Sequence, residues 1–378
     1  MNIDNINIDN ILDRATRGES ITLEEGYALY ERVALGELAA AADERRRAVV
    51  ADESVVTWQI DRNVNITNVC ISGCKFCNFH VKPHQRERHF TTTIEEYRTK
   101  IERMIELGGD QLLLQGGLHP ELGIGFYEEL FRALKALYPT IRLHALGAPE
   151  VSHIARVSGI STIETLARLR KAGLDSLPGA GAEILDDKVR RHISPAKPSV
   201  EEWLRVMHEA HTIDLPTSAT MMYGHVESER NRVEHLFKIR DLQAQSPEGS
   251  YGFIAFIPWI FHSTGTPLER EGVESHFSPL EYLRIIAVSR LVLNNIRNIQ
   301  ASWLTVGKET AQIALHSGAN DFGSIMIEEN VVSSAGANHH FDAEGIQAAI
   351  CEAGFTPRLR NQLYEYRGLL KINALIFR

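Results

Sequence analysis

The chain is short of several things at once. Its 378 residues include four Cys, six Met and only 7% aromatic residues. Four Cys in a chain this long cannot form the disulfide framework that holds small secreted domains together. Positive charge is also in deficit: 40 Lys plus Arg face 49 Asp plus Glu, for a formal charge of −9. Such a surface cannot gain from releasing the counterions of nucleic acid or from meeting anionic lipid headgroups, so no nucleic acid and no membrane is expected as a partner. No run approaches the ~20 apolar residues that cross a bilayer. The opening MNIDNINIDN lacks the basic and apolar regions of a secretory signal, and a cytoplasmic protein is expected. Hydrophobic residues at 44% and charged residues at 24% are ordinary for a packed globular chain.

Eight strand-like runs can be read: Asn65 to Val69, Gln111 to Gln115, Ile141 to Ala145, Asp175 to Leu177, Ser218 to Tyr223, Phe253 to Trp259, Asn298 to Trp303 and Phe322 to Ile327. Segments of helical period separate them. Four of these helices open with a cap residue followed three positions later by Glu: Thr93 with Glu96, Ser161 with Glu164, Ser199 with Glu202, and Ser278 with Glu281. Strand alternating with helix eight times is the pattern of parallel βαβ units. An α/β fold with a closed (β/α)8 barrel is therefore expected over residues 55–337, with a doubly wound open sheet as the other architecture. Residues 1–54 read as an N-terminal extension of two helices, the second opening at Thr22 with Glu25. Residues 338–378 read as a helical tail with the apolar finish Leu375 to Phe377. The charged run Asp43 to Arg47 reads as a solvated helix face.

Three of the four Cys fall in the segment Asn68-Val69-Cys70-Ile71-Ser72-Gly73-Cys74-Lys75-Phe76-Cys77, directly after a strand-like run. Structural zinc needs four closed ligands, and here His80 or a distant His would have to complete them. A disulfide or three buried structural Cys are further readings. An iron-sulfur cluster held by three thiolates is the fourth. Three ligands on a four-iron cluster leave one iron open to a chelating cofactor. A barrel carries its chemistry on the loops after its strands, and the remaining polar and glycine-rich motifs do follow strands. They are Gln115-Gly116-Gly117, Gly179-Ala180-Gly181-Ala182-Glu183, and Thr220-Met221-Met222-Tyr223-Gly224-His225-Val226-Glu227.

The C-x3-C-x2-C loop with Phe76 before its last Cys resembles the signature of the radical S-adenosylmethionine superfamily. The longer phrases, from Asp61-Arg62-Asn63 through Gln115-Gly116-Gly117-Leu118-His119-Pro120 to Phe256-Ile257-Pro258-Trp259 and Ile327-Glu328-Glu329-Asn330, resemble the group that contains the futalosine-pathway enzymes and the deazaflavin (Fo) synthases. Asn78 and His80 depart from the residues usual beside the last Cys.

This resemblance implies a 4Fe-4S cluster on Cys70, Cys74 and Cys77, with S-adenosylmethionine bound by Phe76, Gln115, Gly116, Gly117, Gly179, Gly181, Glu183, Thr220, Gly224 and Glu227. Thr220 stands where the superfamily's adenine segment has Gly. The implied substrate is the small molecule dehypoxanthine futalosine. An adenosyl radical would take hydrogen from its sugar C4', the carbon would close onto the benzoate ring, and the cycle belongs to menaquinone synthesis. A one-electron donor such as flavodoxin or ferredoxin would supply the reductant. From their positions, Glu328 or His119 would take the final proton, while Arg62, Phe256 and Trp259 would meet the substrate. Aminofutalosine synthase and deazaflavin synthase chemistries are the neighbouring alternatives. A zinc-stabilised barrel that only binds a metabolite is the alternative from another class.

Overall fold

A computed structural model describes residues 7–328 and 339–368; Glu329 and the apolar finish Leu375 to Phe377 lie outside them. Among the described residues nine strands are formed: β1 (Val55–Gln59), β2 (Asp61–Asn65), β3 (Gln111–Gln115), β4 (Arg142–Ala145), β5 (Thr217–Tyr223), β6 (Phe253–Ile260), β7 (Asn298–Ile299), β8 (Asp321–Ser324) and β9 (Thr356–Leu359). Every pairing among them is parallel. Three three-stranded sheets, β8-β1-β9, β2-β3-β4 and β5-β6-β7, are stitched into a ring by single parallel bridges. His144 pairs with Ser176, Leu177 with Thr217, Gln300 with Asp321, and Arg62 with Ile327. With β1 and β2 counted as one first strand bent at Ile60, and the Ser176–Leu177 segment as the fourth, this is a closed eight-membered parallel barrel wrapped in helices.

The expected helix starts are present. Thr22 and Thr93 close full capping boxes with Glu25 and Glu96. Ser161, Ser199 and Ser278 each accept from the backbone N–H three residues on. Two orphan donors are satisfied at each full box and one at each of the three Ser caps, an effect worth about 1 kcal/mol per cap.

Several elements differ from the sequence expectation. The first strand, expected to end at Asn65 to Val69, begins at Val55 and ends at Asn65, and its residues Gln59, Asp61, Asn63 and Asn65, polar at every second position, are all buried. The seventh strand is cut short, since Trp303 starts the helix Trp303–Val306. Among its described residues the N-terminal extension has three helices, Ile8–Thr16, Leu23–Arg32 and Leu35–Val49. On the third, the Asp43 to Arg47 run is not solvated throughout: Arg46, 3% exposed, bonds Asp43 at 2.7 Å and lies over the Phe355 ring.

The tail is not wholly helical either. After the helix Ala343–Glu352 the chain forms β9, which pairs with β1 from Val55 to Trp58. β9 is at the end of its sheet, where Pro357 withholds no N–H that a further strand would need. Gln362, just beyond, bonds Gln111 at the first residue of β3, so the tail closes the barrel at the strands' N-terminal ends. Among the described residues no helix is long and apolar enough to cross a membrane.

Candidate active site

The cysteine loop is built by backbone bonds to four different segments. Cys70 N–H donates to Val81 O at 2.9 Å, Ile71 N–H to Leu118 O at 3.1 Å, and Lys75 N–H to Ile193 O at 2.8 Å, while Lys75 O accepts from Leu268 N–H at 3.0 Å. Asn68 ties the flank down through Arg88 O and Phe90 N–H. Gly73 takes φ +60°, a left-handed turn that favours glycine between the first two thiols. Gly117 is needed for packing: a Cβ there would stand 2.2 Å from Val69 O and 2.8 Å from Cys70 Cβ. The glycine pair after β3 thus lets the cysteine loop lie against the barrel rim.

One cavity of about 360 Å³ runs from this loop into the barrel. Cys70, Cys74 and Cys77 all line it, and Cys70 and Cys74 are buried. Ser72 Oγ lies 2.9 Å from Cys70 Sγ and 3.3 Å from Cys74 Sγ, and Leu118 N–H donates to Cys70 Sγ at 3.2 Å. Burial pushes the Cys74 thiol up to about 11, with Lys197 pulling the other way.

The sulfurs are not gathered round one point: among the described residues no three His, Cys, Asp or Glu side chains are set to hold a single metal ion. A four-iron cluster asks for something else, one thiolate on each of three irons, supplied by a loop with free thiols and N–H donors aimed at sulfur. The loop fits that request.

The residues named from sequence divide into two sets. Phe76, Gln115, Gly116, Gly117, Gly181, Glu183, Thr220 and Trp259 share the cavity wall with the three Cys. Gly179 is behind the wall, where a Cβ would stand 2.6 Å from Ser218 O, and its carbonyl accepts from Thr220 Oγ1 at 2.8 Å. Gly224 and Glu227 are also behind it. The Glu227 carboxylate accepts from Gly224 N–H at 2.7 Å and His225 N–H at 2.9 Å and pairs with Arg232 at 2.7 Å, bracing the turn after β5.

Four other expectations are corrected by geometry. Phe256 points outward, because alternation along β6 sends Ala255, Ile257 and Trp259 inward and Phe256 to the helices. Arg62 does not meet the cavity: its guanidinium holds Glu328, with Nε 3.0 Å from Oε2, and Lys100 binds the same carboxylate. Burial raises the Glu328 pKa, but these two cations outweigh it and hold the carboxyl below its usual range, the wrong direction for a proton acceptor. His119 also lies off the cavity wall; its Nδ1 accepts from Glu121 N–H at 3.1 Å, and burial lowers its pKa.

Reading the sequence missed the charged partners inside the cavity. Lys197 Nζ lies 2.5 Å from Glu183 Oε1 and 5.1 Å from the centre of the Phe76 ring. Burial works to lower its pKa, yet Cys74, Glu183 and Glu150 outweigh it and the ammonium is held charged. Glu150 lines the same space, its pKa is raised by burial, and its Oε2 is buried with no hydrogen-bond partner among the described residues. No local pattern marks a lysine in Pro-Ala-Lys-Pro as an interior cation. The polar alternation of Gln59 and Asp61 was a usable signal for an interior wall.

Glu227 also sets a pH dependence. Burial would raise its pKa, but His225, Arg232 and the Gly224 N–H outweigh it and bring the value down from 4.5 to about 2. A depressed folded value stabilises above the unfolded value and is lost as the pH falls through the folded one. Glu227→Gln is therefore expected to cost about 3 kcal/mol of unfolding free energy near neutral pH. Urea titrations across acid pH should show that difference shrinking from about pH 5 downwards; a constant difference would refute the coupling.

A parallel eight-membered barrel with three cysteines on the loop after its first strand, above a cavity lined by glycine-rich loops, defines a radical S-adenosylmethionine enzyme. Residues 64–239 match the family described as "Radical SAM superfamily", and residues 250–372 match "CofH/MqnC C-terminal region". The chain is 44% identical to a cyclic dehypoxanthine futalosine synthase of Streptomyces coelicolor, covering 94% of this chain and 88% of that one. It is 39% identical to a protein of the same name from Halalkalibacterium halodurans, covering 95% of each. A 5-amino-6-(D-ribitylamino)uracil–L-tyrosine 4-hydroxyphenyl transferase of Methanosarcina barkeri is 38% identical, over 94% of this chain and 93% of the relative. Among solved structures, methylornithine synthase superposes with a TM-score of 0.69 at 19% identity, over 92% of this chain and 97% of that one. The chain belongs to the radical S-adenosylmethionine family that contains the cyclic dehypoxanthine futalosine synthases. Enzymes of this superfamily use a 4Fe-4S cluster and S-adenosylmethionine.

Proposed function

We propose that this enzyme cyclises dehypoxanthine futalosine, removing the C4' hydrogen of its sugar and joining that carbon to the benzoate ring, for menaquinone synthesis. The observation that carries the choice of substrate is the 44% identity over 94% of the chain to a cyclic dehypoxanthine futalosine synthase. When bound, a cluster on the three thiolates together with S-adenosylmethionine supplies a 5'-deoxyadenosyl radical that accepts a hydrogen atom.

The chain's own residues do the rest. Phe76, Leu118, Ile257 and Trp259 make an apolar wall that excludes water and suits an aromatic ring. Gly116, Gly117, Gly181 and Thr220 offer backbone and hydroxyl contacts to the cofactor, with Lys197 and Glu183 as the charged pair beside it. Gly179, Gly224 and Glu227 hold those loops from behind. The proton lost as the ring regains aromaticity goes to Glu150 Oε2, which is buried, has no hydrogen-bond partner among the described residues, and whose affinity for a proton burial raises. A flavodoxin- or ferredoxin-type carrier exchanges the single electrons. The setting is the cytoplasm, where thiols stay reduced, and the four cysteines are free.

Anaerobic turnover with dehypoxanthine futalosine, reductant and S-adenosylmethionine tests this reading. The expected products are 5'-deoxyadenosine and a nucleoside product lighter than the substrate by two hydrogens. A second reading rests on the 38% identity to the hydroxyphenyl transferase; turnover only with tyrosine and the ribitylamino-pyrimidine would replace the first by it. Incorporation of the adenosyl group into product would mark an aminofutalosine synthase instead.

A further inference from the structure

One stretch of the cavity wall, at the level of Gln59 on β1 and the first residue of β3, is polar, and the functions argued so far use none of it. Gln59 and Gln111, 2% and 1% exposed, line this floor with Asp61, His144, Arg360 and Gln362. Gln59 Oε1 accepts from Arg360 Nη1 at 2.6 Å. A guanidinium only donates, so the amide of Gln59 has one orientation and must present its nitrogen elsewhere. That Nε2 is buried with no hydrogen-bond partner among the described residues. Gln111 is the converse case. Its Nε2 donates to Gln362 Oε1 at 3.0 Å, and its Oε1 is left buried and unpartnered. Asp61, two residues beyond Gln59, is the ladder partner of Gln111, so the free donor and the free acceptor belong to neighbouring strands of one interior wall.

Buried polar atoms in native proteins are paired, and two unpaired ones on side chains that line a cavity call for a ligand that supplies both halves. A carboxylate would satisfy the amide nitrogen and be repelled by the oxygen, and an ammonium would do the reverse. Nor is there a spare cation for an anion here: Arg360 is held by Asp321 through Nε at 2.6 Å and Nη2 at 2.9 Å. Burial keeps His144 neutral, with a pKa of about 3. A hydroxyl both donates and accepts. Resting on the cyclase reading, we infer that Gln59 and Gln111 bind the secondary hydroxyls of the substrate's sugar, setting the sugar at the barrel floor and leaving the benzoate carboxylate elsewhere.

Titration calorimetry of the oxidised, cluster-loaded enzyme with dehypoxanthine futalosine measures this without turnover. Gln59→Glu keeps an oxygen toward Arg360 and turns the free donor into an acceptor, while Gln111→Leu removes the free acceptor. Each is expected to weaken binding about tenfold. Analogues lacking the 2' or the 3' hydroxyl should lose a similar factor on the wild-type enzyme, and the analogue missing the matching hydroxyl should lose nothing further on the variant. Gln111→Leu also deletes the bond to Gln362 Oε1, so the melting temperature of the ligand-free enzyme is expected to fall a little; a purely structural amide would give that fall while leaving the variant's discrimination between substrate and deoxy analogues intact. If wild type binds and converts the substrate but either variant, or both analogues on wild type, bind as tightly as the parent pair, the floor assignment fails alone. If wild type neither binds nor converts it, the cyclase reading fails and takes the floor with it.

Discussion

Cys74→Ala is expected to leave an enzyme that folds but forms no 5'-deoxyadenosine above background after anaerobic reconstitution with iron and sulfide. Cys74 is buried at the centre of its loop, with Ser72 Oγ 3.3 Å away and the Lys197 ammonium acting on its thiol. The loop's backbone anchors come from Cys70, Ile71, Lys75 and their partners, so trimming one sulfur leaves the fold intact. What it removes is one of the three proposed thiolate ligands, and no other Cys can replace it: Cys351 lies on the helix Ala343–Glu352 and is half-buried there. Iron and sulfide content, the low-temperature paramagnetic signal of the reduced protein and the yield of 5'-deoxyadenosine give three independent readings. Cys351→Ala should match wild type in all of them. Full cluster content and cofactor cleavage in Cys74→Ala would overturn the assignment of the ligand set.

The second large effect is on stability. Arg360→Met should lower the unfolding free energy by about 3–5 kcal/mol, as expected when one partner of a buried ion pair is removed. Arg360 and Asp321 have 4% and 0% side-chain exposure and share two hydrogen bonds, and the same guanidinium holds Gln59 and lies 3.9 Å from the Tyr364 ring centre. Burial would lower the Arg360 pKa, and the Asp321 carboxylate more than restores it. Without Arg360, Asp321 is a buried charge whose remaining donors are Thr57 Oγ1 and the Gly323 N–H. Adding Asp321→Asn should therefore recover part of the loss, which guanidinium unfolding of the two single variants and the double variant would measure. A loss below about 1 kcal/mol in Arg360→Met would mean that Asp321 finds water or a proton at little cost.

The tail strand gives this pair its importance. β9 and the residues after it reach across the N-terminal end of the barrel, so Arg360, Gln362 and Tyr364 all line the cavity from a segment near the end of the described chain. Pro357 and Gly354 suggest a helix stop, but the composition of so short a run cannot say that it pairs with β1, some 300 residues earlier. The opposite holds for the helix starts. A cap and its partner lie three residues apart, the bonds are local, and Thr93 with Glu96 forms the same box wherever the helix is carried.

The same division runs through the site. That Cys70, Cys74 and Cys77 share one loop, that glycines follow β3, and that strand alternates with helix are matters of spacing along the chain, and they carried the fold class and the proposed ligand set. The two-residue period of a strand separates Trp259 from Phe256, yet the sequence reading put both on the substrate, and only the structure sends Phe256 outward. No spacing foretells that Arg62 and Lys100 would hold Glu328, or that Lys197 would come to rest between Glu183, Glu150 and Cys74. Those side chains meet through barrel closure, where burial makes each charge take whichever partner the packing brings. Local chemistry is written in short intervals of sequence; the pairing of distant charges, and the floor on which a substrate would rest, had to wait for the chain to close on itself.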